Sequence, residues 1–204
     1  DSFESHKVLG PSTAHNRDET LSDVVLVDAI SFDLSGQQII FDYQTCAGSS
    51  SPNDQTDCIE SWNVGILDLS TGFNYPFPNL GDSIDLGFPK FSNIGRNEIV
   101  LDVHDYEDAD ATGEVYSSVF RINFDEQTAE RLFATSPSGS PQAFYGSPGF
   151  LGEDEAITAQ VFVVPEEDPN GYVSIARAKL GSSYRFDPNV EDVLIYALPY
   201  EAAW

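Results

Sequence analysis

Methionine is absent from the 204 residues, and only two cysteines, three histidines and nine basic side chains occur. Each shortage excludes something. A chain without an initiator methionine is expected to be a processed product or a piece of a longer one. With only nine Lys and Arg against 34 Asp and Glu, the formal net charge is −25. Such a surface repels phosphate backbones and anionic membranes, so nucleic acid is excluded as a partner. Cationic partners, divalent metals and salty surroundings stay compatible with it. No run of 18 apolar residues occurs, so no membrane-spanning helix is expected.

The histidines are as sparse as the cations. His6 and His15 lie near the start, and His104 follows an apolar run beside Asp105. No Gly-x-Ser-x-Gly elbow accompanies them, so a nucleophile–base–acid arrangement is not expected. No glycine-rich phosphate loop or dinucleotide fingerprint occurs either. The acids are too many for any pair of them to single out glycoside hydrolysis. Cys46 and Cys58 lie twelve positions apart in a Ser-, Asn- and Asp-rich stretch without histidine, which argues against zinc. A disulfide closing that loop, in an oxidising compartment, is the expectation, and two unpaired thiols are the alternative.

What the chain does have is 41% apolar residues and 12% aromatics, enough for a folded core. Short runs rich in Val, Ile, Phe and Tyr alternate with Gly, Asn, Asp and Pro, and none keeps a helical period. The runs repeat. Phe32, Phe91 and Phe150 are spaced 59 apart, as are Gly87 and Gly146, and Pro89 and Pro148. "SFDLSGQQIIFDYQ", "KFSNIGRNEIVLDV" and "GFLGEDEAITAQVFVV" each read as two strands about a polar turn. A third strand follows each at 62–72, 115–128 and 171–181, with a fourth in "FNYPF", "AERLFA" and "VEDVLIYAL". Units of four antiparallel strands, repeated at this period, predict β-propeller blades.

The blades fall near 24–80, 84–136 and 141–198, within a propeller region of 23–198. A leader segment (1–22) precedes it and a short C-terminal tail (199–204) follows. The fold class is therefore all-β, with about three four-stranded blades. Propellers close with at least four, so further blades, a protein partner or a second copy of the chain (a homo-oligomer) is expected to complete the ring.

The stretch "ISFDLSGQQIIFDYQ…SWNVGILDLSTG" (residues 30–72) resembles the WD40-like, TolB-type propeller repeat of bacterial secreted and periplasmic proteins. That resemblance implies a propeller in a secreted, cell-surface or periplasmic setting, and implies little about chemistry.

Candidate binding residues follow from the loops between second and third strands, at 44–61, 104–114 and 164–171, which the repeat places on one rim. They are Trp62, Asp105, Glu107, Glu166 and Asp168. Within the middle loop, Asp108, Asp110 and Thr112 precede Gly113 as oxygen ligands precede the glycine of a calcium loop. Glu114 joins this candidate Ca2+ set. The closing glutamate of an EF-hand is missing, since Val119 holds its position, and a solvated acidic hairpin tip is the competing reading. The leading expectation is a non-enzymatic scaffold for protein or ligand binding. One alternative is the propeller portion of a secreted, prolyl-oligopeptidase-like hydrolase whose catalytic domain lies elsewhere. The other is a self-assembling surface protein.

Overall fold

Successive apolar side chains, as in Ile40-Phe41 and Ile99-Val100-Leu101, suit a pleated strand with two buried faces, and the chain folds accordingly. The computed structural model describes residues 24–47, 59–77, 80, 83–106, 115–135, 142–154, 156–164, 171–179 and 197–199. Three consecutive antiparallel sheets hold twelve strands. Blade 1 is β1 (Val24–Phe32), β2 (Gln38–Ala47), β3 (Ile59–Asp68) and β4 (Phe73–Pro76). Blade 2 is β5 (Ile84–Phe91), β6 (Glu98–Asp105), β7 (Tyr116–Asn123) and β8 (Thr128–Ala134). Blade 3 is β9 (Gln142–Leu151), β10 (Ala156–Val164), β11 (Tyr172–Lys179) and β12 (Ala197–Pro199). Every strand pairs with its neighbour in sequence, the up-and-down meander of a propeller blade.

The turns explain their own sequences. In the β1–β2 turn, Asp33 accepts from the Gln38 amide at 2.8 Å and from the Ser35 hydroxyl, while Gly36 supplies a φ of +69°. In the β3–β4 turn, Asp68 accepts from the Ser70 and Thr71 amides at 2.8 and 3.0 Å, and Gly72 takes the left-handed position.

The blades pack face to face. Ile40 and Val64 of blade 1 meet Leu86, Ile99 and Leu101 of blade 2 in one buried cluster. Val100, Val119 and Phe133 of blade 2 meet Tyr145, Ile157, Ala159 and Val161 of blade 3 in another. β5 lies against β1, β2 and β3, and β9 repeats this against β5, β6 and β7. Because the same contact recurs, strand directions recur from blade to blade. The ends of β2, β6 and β10 therefore point to one rim.

Candidate functional site

The repeated Gly-x-Pro of β5 and β9 marks a built joint. In each blade the pairing of the first two strands breaks at this point, between Val27 and Ile30, between Gly87 and Lys90, and opposite Thr158–Gln160. Such a bulge frees a backbone N–H from the ladder and turns it outward. Phe88 and Ser147 occupy it with φ of +46° and +47°, an uncommon conformation for residues other than glycine. Their amides are received by the preceding blade. Phe88 N–H donates to Asp42 Oδ2 at 2.8 Å, and Ser147 N–H to Asp102 Oδ2 at 3.0 Å. Asp42 and Asp102 hold equivalent places in β2 and β6 and are 1% and 2% exposed.

Gly87 is needed beside this joint. A Cβ there would lie 2.7 Å from Asp102 Oδ1, closer than a carbon and an oxygen can approach. Blade 1 handles its own bulge internally, since Asp42 Oδ1 also accepts from the amides of Ala29 at 2.6 Å and Asp28 at 3.2 Å. In blade 3 the equivalent place is held by Gln160, which is exposed.

Above the first joint, toward the rim, a cavity of about 280 Å³ opens between blades 1 and 2. Asp28, Asp42, Asp85 and Asp102 line it together with His104, and Trp62, Phe88 and Tyr106 supply aromatic walls. β3 and β5 are tied there by the Trp62 amide, which donates to Asp85 Oδ1 at 2.8 Å. Burial raises the Asp42 and Asp85 carboxyls above their ordinary values, against the amides that favour the charged form. Interaction with Asp102 raises the His104 imidazole against the opposing effect of burial, and the Asp85 charge adds to it. At 3.8 Å from His104 Nε2 to Asp102 Oδ2, this contact is longer than a hydrogen bond and is an ion pair when the imidazole is protonated. Tyr106 is raised by burial, then by the charges of Asp85 and Asp102. The arrangement concentrates negative charge and ring faces in one recess, which is the chemistry of cation recognition.

Of the candidate binding and calcium residues named from the sequence, Trp62 and Asp105 lie within the described residues. Trp62 lines the cavity and joins two blades through its backbone. Asp105 ends β6 and borders a second, larger groove between the same blades. Glu107, Asp108, Asp110, Thr112, Glu114, Glu166 and Asp168 lie outside the described residues, as does Cys58. Cys46 sits near the end of β2, opposite Glu60. Among the described residues no group of three or more His, Cys, Asp or Glu is arranged to hold a metal ion.

Sequence reasoning set His104 beside Asp105. The fold instead aligns it with Asp102, two residues back on the same face of β6. It also missed Asp42, Asp85 and Asp102. The recurrence of Asp after the apolar run, in "IIFD" and "IVLD", was the signal that could have found two of them.

No protein family matches the sequence, and no curated protein does. Solved structures of similar fold exist. A TolB protein of Agrobacterium tumefaciens superposes with a TM-score of 0.45 at 12% identity, over 77% of this chain and 47% of that one. The β-propeller domain of the Trilobed protease of Pyrococcus furiosus, which has an open velcro topology, gives 0.41 at 8%, over 78% and 58%. The lignostilbene dioxygenase of Pseudomonas brassicacearum gives 0.40 at 15%, over 81% and 40%. The chain thus spans less than two thirds of each of these structures. Its blades are defined by their own strand order and repeated joint, and no activity passes to it from these proteins.

Proposed function

We propose that this chain is a non-enzymatic β-propeller scaffold that works in a secreted or periplasmic setting and binds a cationic group of a protein partner at its rim. The observation that carries this reading is the lining of the rim cavity, four carboxylates and three aromatic rings around about 280 Å³. A lysine or arginine side chain suits it in charge and in the ring faces it offers. The two most buried of those carboxylates, Asp42 and Asp102, are engaged by backbone amides, which fixes their positions in the recess. Further blades or a partner covering blade 1 belong to the same reading. Ile30 and Phe32 are 51% and 59% exposed, whereas their equivalents in blade 2, Pro89 and Phe91, are buried or half-buried against blade 1.

The test is calorimetric titration with a short arginine-containing peptide and its citrulline counterpart. Binding of the arginine peptide alone, weakened by salt and by Asp28→Asn with Asp85→Asn, is the expected result. Equal binding of both peptides, or none of either, would overturn the proposal.

A further inference from the structure

The two blade interfaces are repeat-equivalent, yet they are not filled alike: the cavity between blades 2 and 3 holds about 200 Å³, the larger groove between blades 1 and 2 about 730 Å³. Phe133 lies opposite Val119 in blade 2, and Phe77 takes the same place opposite Val64 in blade 1, its amide donating to the Val64 carbonyl at 2.8 Å. Between blades 2 and 3, Phe133 stacks on Tyr145 with ring centroids 5.4 Å apart. Both rings are buried, each 3% exposed, within one core cluster that spans the two blades.

Tyr145 precedes the bulge glycine of β9, and the residue preceding the bulge glycine of β5 is Leu86. A leucine offers no ring for the blade 1 phenylalanine to stack on. Phe77 instead meets Phe124 edge-on, with centroids 6.1 Å apart. β4 adds to the deficit, since it has four residues where β8 has seven.

What remains between blades 1 and 2 is a groove of about 730 Å³. Phe77, Leu86, Leu101, Val103, Phe120 and Ile122 form its walls. Protein interiors are close-packed with few voids, and this volume lies within the range of small-molecule sites. Its polar groups are placed at its margins. Arg131 of β8 lies opposite Phe120 and borders the groove on the outer side, and no carboxylate pairs with it among the described residues. Asp105, Tyr116 and Ser118 border it toward the rim. From Leu101, opposite Phe120, to Asp105 the strand runs four residues, about 13 Å at about 3.3 Å per residue. In a chain with 34 acids and nine bases, an unpaired arginine at the edge of an apolar groove selects for charge.

We propose that this groove binds an apolar monocarboxylate, its hydrocarbon body along Leu101 and Phe120 and its carboxylate on the Arg131 guanidinium. The site is separate from the acidic rim cavity, and the inference stands or falls independently of that one.

The probe is 8-anilinonaphthalene-1-sulfonate, an anionic aromatic dye, bound to the full chain and displaced by decanoate or decanol. Near-UV circular dichroism reports that each protein is folded. Decanoate is expected to displace the dye about tenfold more effectively than decanol, the effect of one charge-assisted contact. Leu86→Tyr, which supplies the ring found at the equivalent interface, is expected to abolish binding of both. Arg131→Gln is expected to bring decanoate down to the level of decanol, and Arg131→Lys to restore part of the preference. Absence of dye binding, unchanged binding by a folded Leu86→Tyr protein, or equal displacement by decanoate and decanol in the parent would each overturn the proposal. If Leu86→Tyr does not fold, Arg131→Gln decides alone, because it alters an exposed side chain and leaves the packing intact.

Discussion

Replacing Asp42 by alanine should loosen blade 1 from blade 2 and open the bulge of blade 1 at the same time. The carboxylate is 1% exposed and accepts three amides, from Ala29 at 2.6 Å, Phe88 at 2.8 Å and Asp28 at 3.2 Å. An amide left buried without a partner costs about 1–3 kcal/mol, and the Ala29 and Phe88 groups are the two that lose most by it. Against this stands the relief of desolvating a carboxylate, whose cost is visible in the raised pKa of Asp42. The net expectation is a loss of about 2–4 kcal/mol. For a chain of this size that lowers Tm by about 2–4 °C per kcal/mol.

Asp42→Asn should lose roughly half as much, since one oxygen remains to accept while the new NH2 faces an amide donor. Gln160→Ala, the equivalent change in blade 3, falls on an exposed side chain and should stay within about 0.5 kcal/mol. Urea unfolding followed by tryptophan fluorescence measures all three, and hydrogen exchange at the Phe88 amide reports the joint directly. A loss below about 1 kcal/mol for Asp42→Ala, with Phe88 exchange unchanged, would refute the idea that this carboxylate joins the blades.

Two further outcomes follow from the same interface. Gly87→Ala should destabilise by about 1–3 kcal/mol through overpacking against the buried Asp102, whereas Gly149→Ala, whose Cβ would meet only Thr158 Oγ at 3.8 Å, should be neutral or slightly stabilising. Equal effects in thermal melts would show that the close approach at Gly87 does not matter. His104 has a raised pKa, so its contribution to stability is full below the unfolded value of 6.5 and is lost as pH rises through the folded one. The stability difference between parent and His104→Gln should therefore be largest in mildly acidic buffer and vanish in alkaline buffer. Asp42 titrates in both proteins and cancels in that difference, whereas Asp85 is coupled to the imidazole and is part of it. A difference that does not change with pH would mean that the Asp102 and Asp85 charges do not act on the ring.

The architecture was legible because it repeats. Phe32, Phe91 and Phe150 stand at or next to the end of the first strand of each blade, and the predicted turn at Ser35-Gly36 is where β1 and β2 join. Strand identity survives in sequence because alternation is local, and each strand carries its own pattern. The joints were not legible, for the opposite reason. Asp42 and Phe88 are 46 residues apart, and Asp102 and Ser147 are 45 apart, so neither partner announces the other. The repeated glycine and proline were visible, but their cause lies in a carboxylate of the preceding blade. The rim cavity draws on β1, β2, β3, β5 and β6 at once, and only folding brings those residues together. The unfilled groove is visible only by comparison, as a leucine standing where the next unit has a tyrosine.

The joint also bears on how such a chain can grow. Each unit carries a donor at its first strand and, on its second, the acceptor that serves its successor. Any stretch one period long thus copies one half-joint of each kind, wherever in the period the copy begins. A duplicated segment arrives with a place to dock and a place to be docked upon, so lengthening the array requires no new interface. A unit that loses its acidic residue, as the third has in carrying Gln160, keeps an amide oxygen there but gives up the fixed charge. Extension from that end would begin with a weaker bond than the two already made.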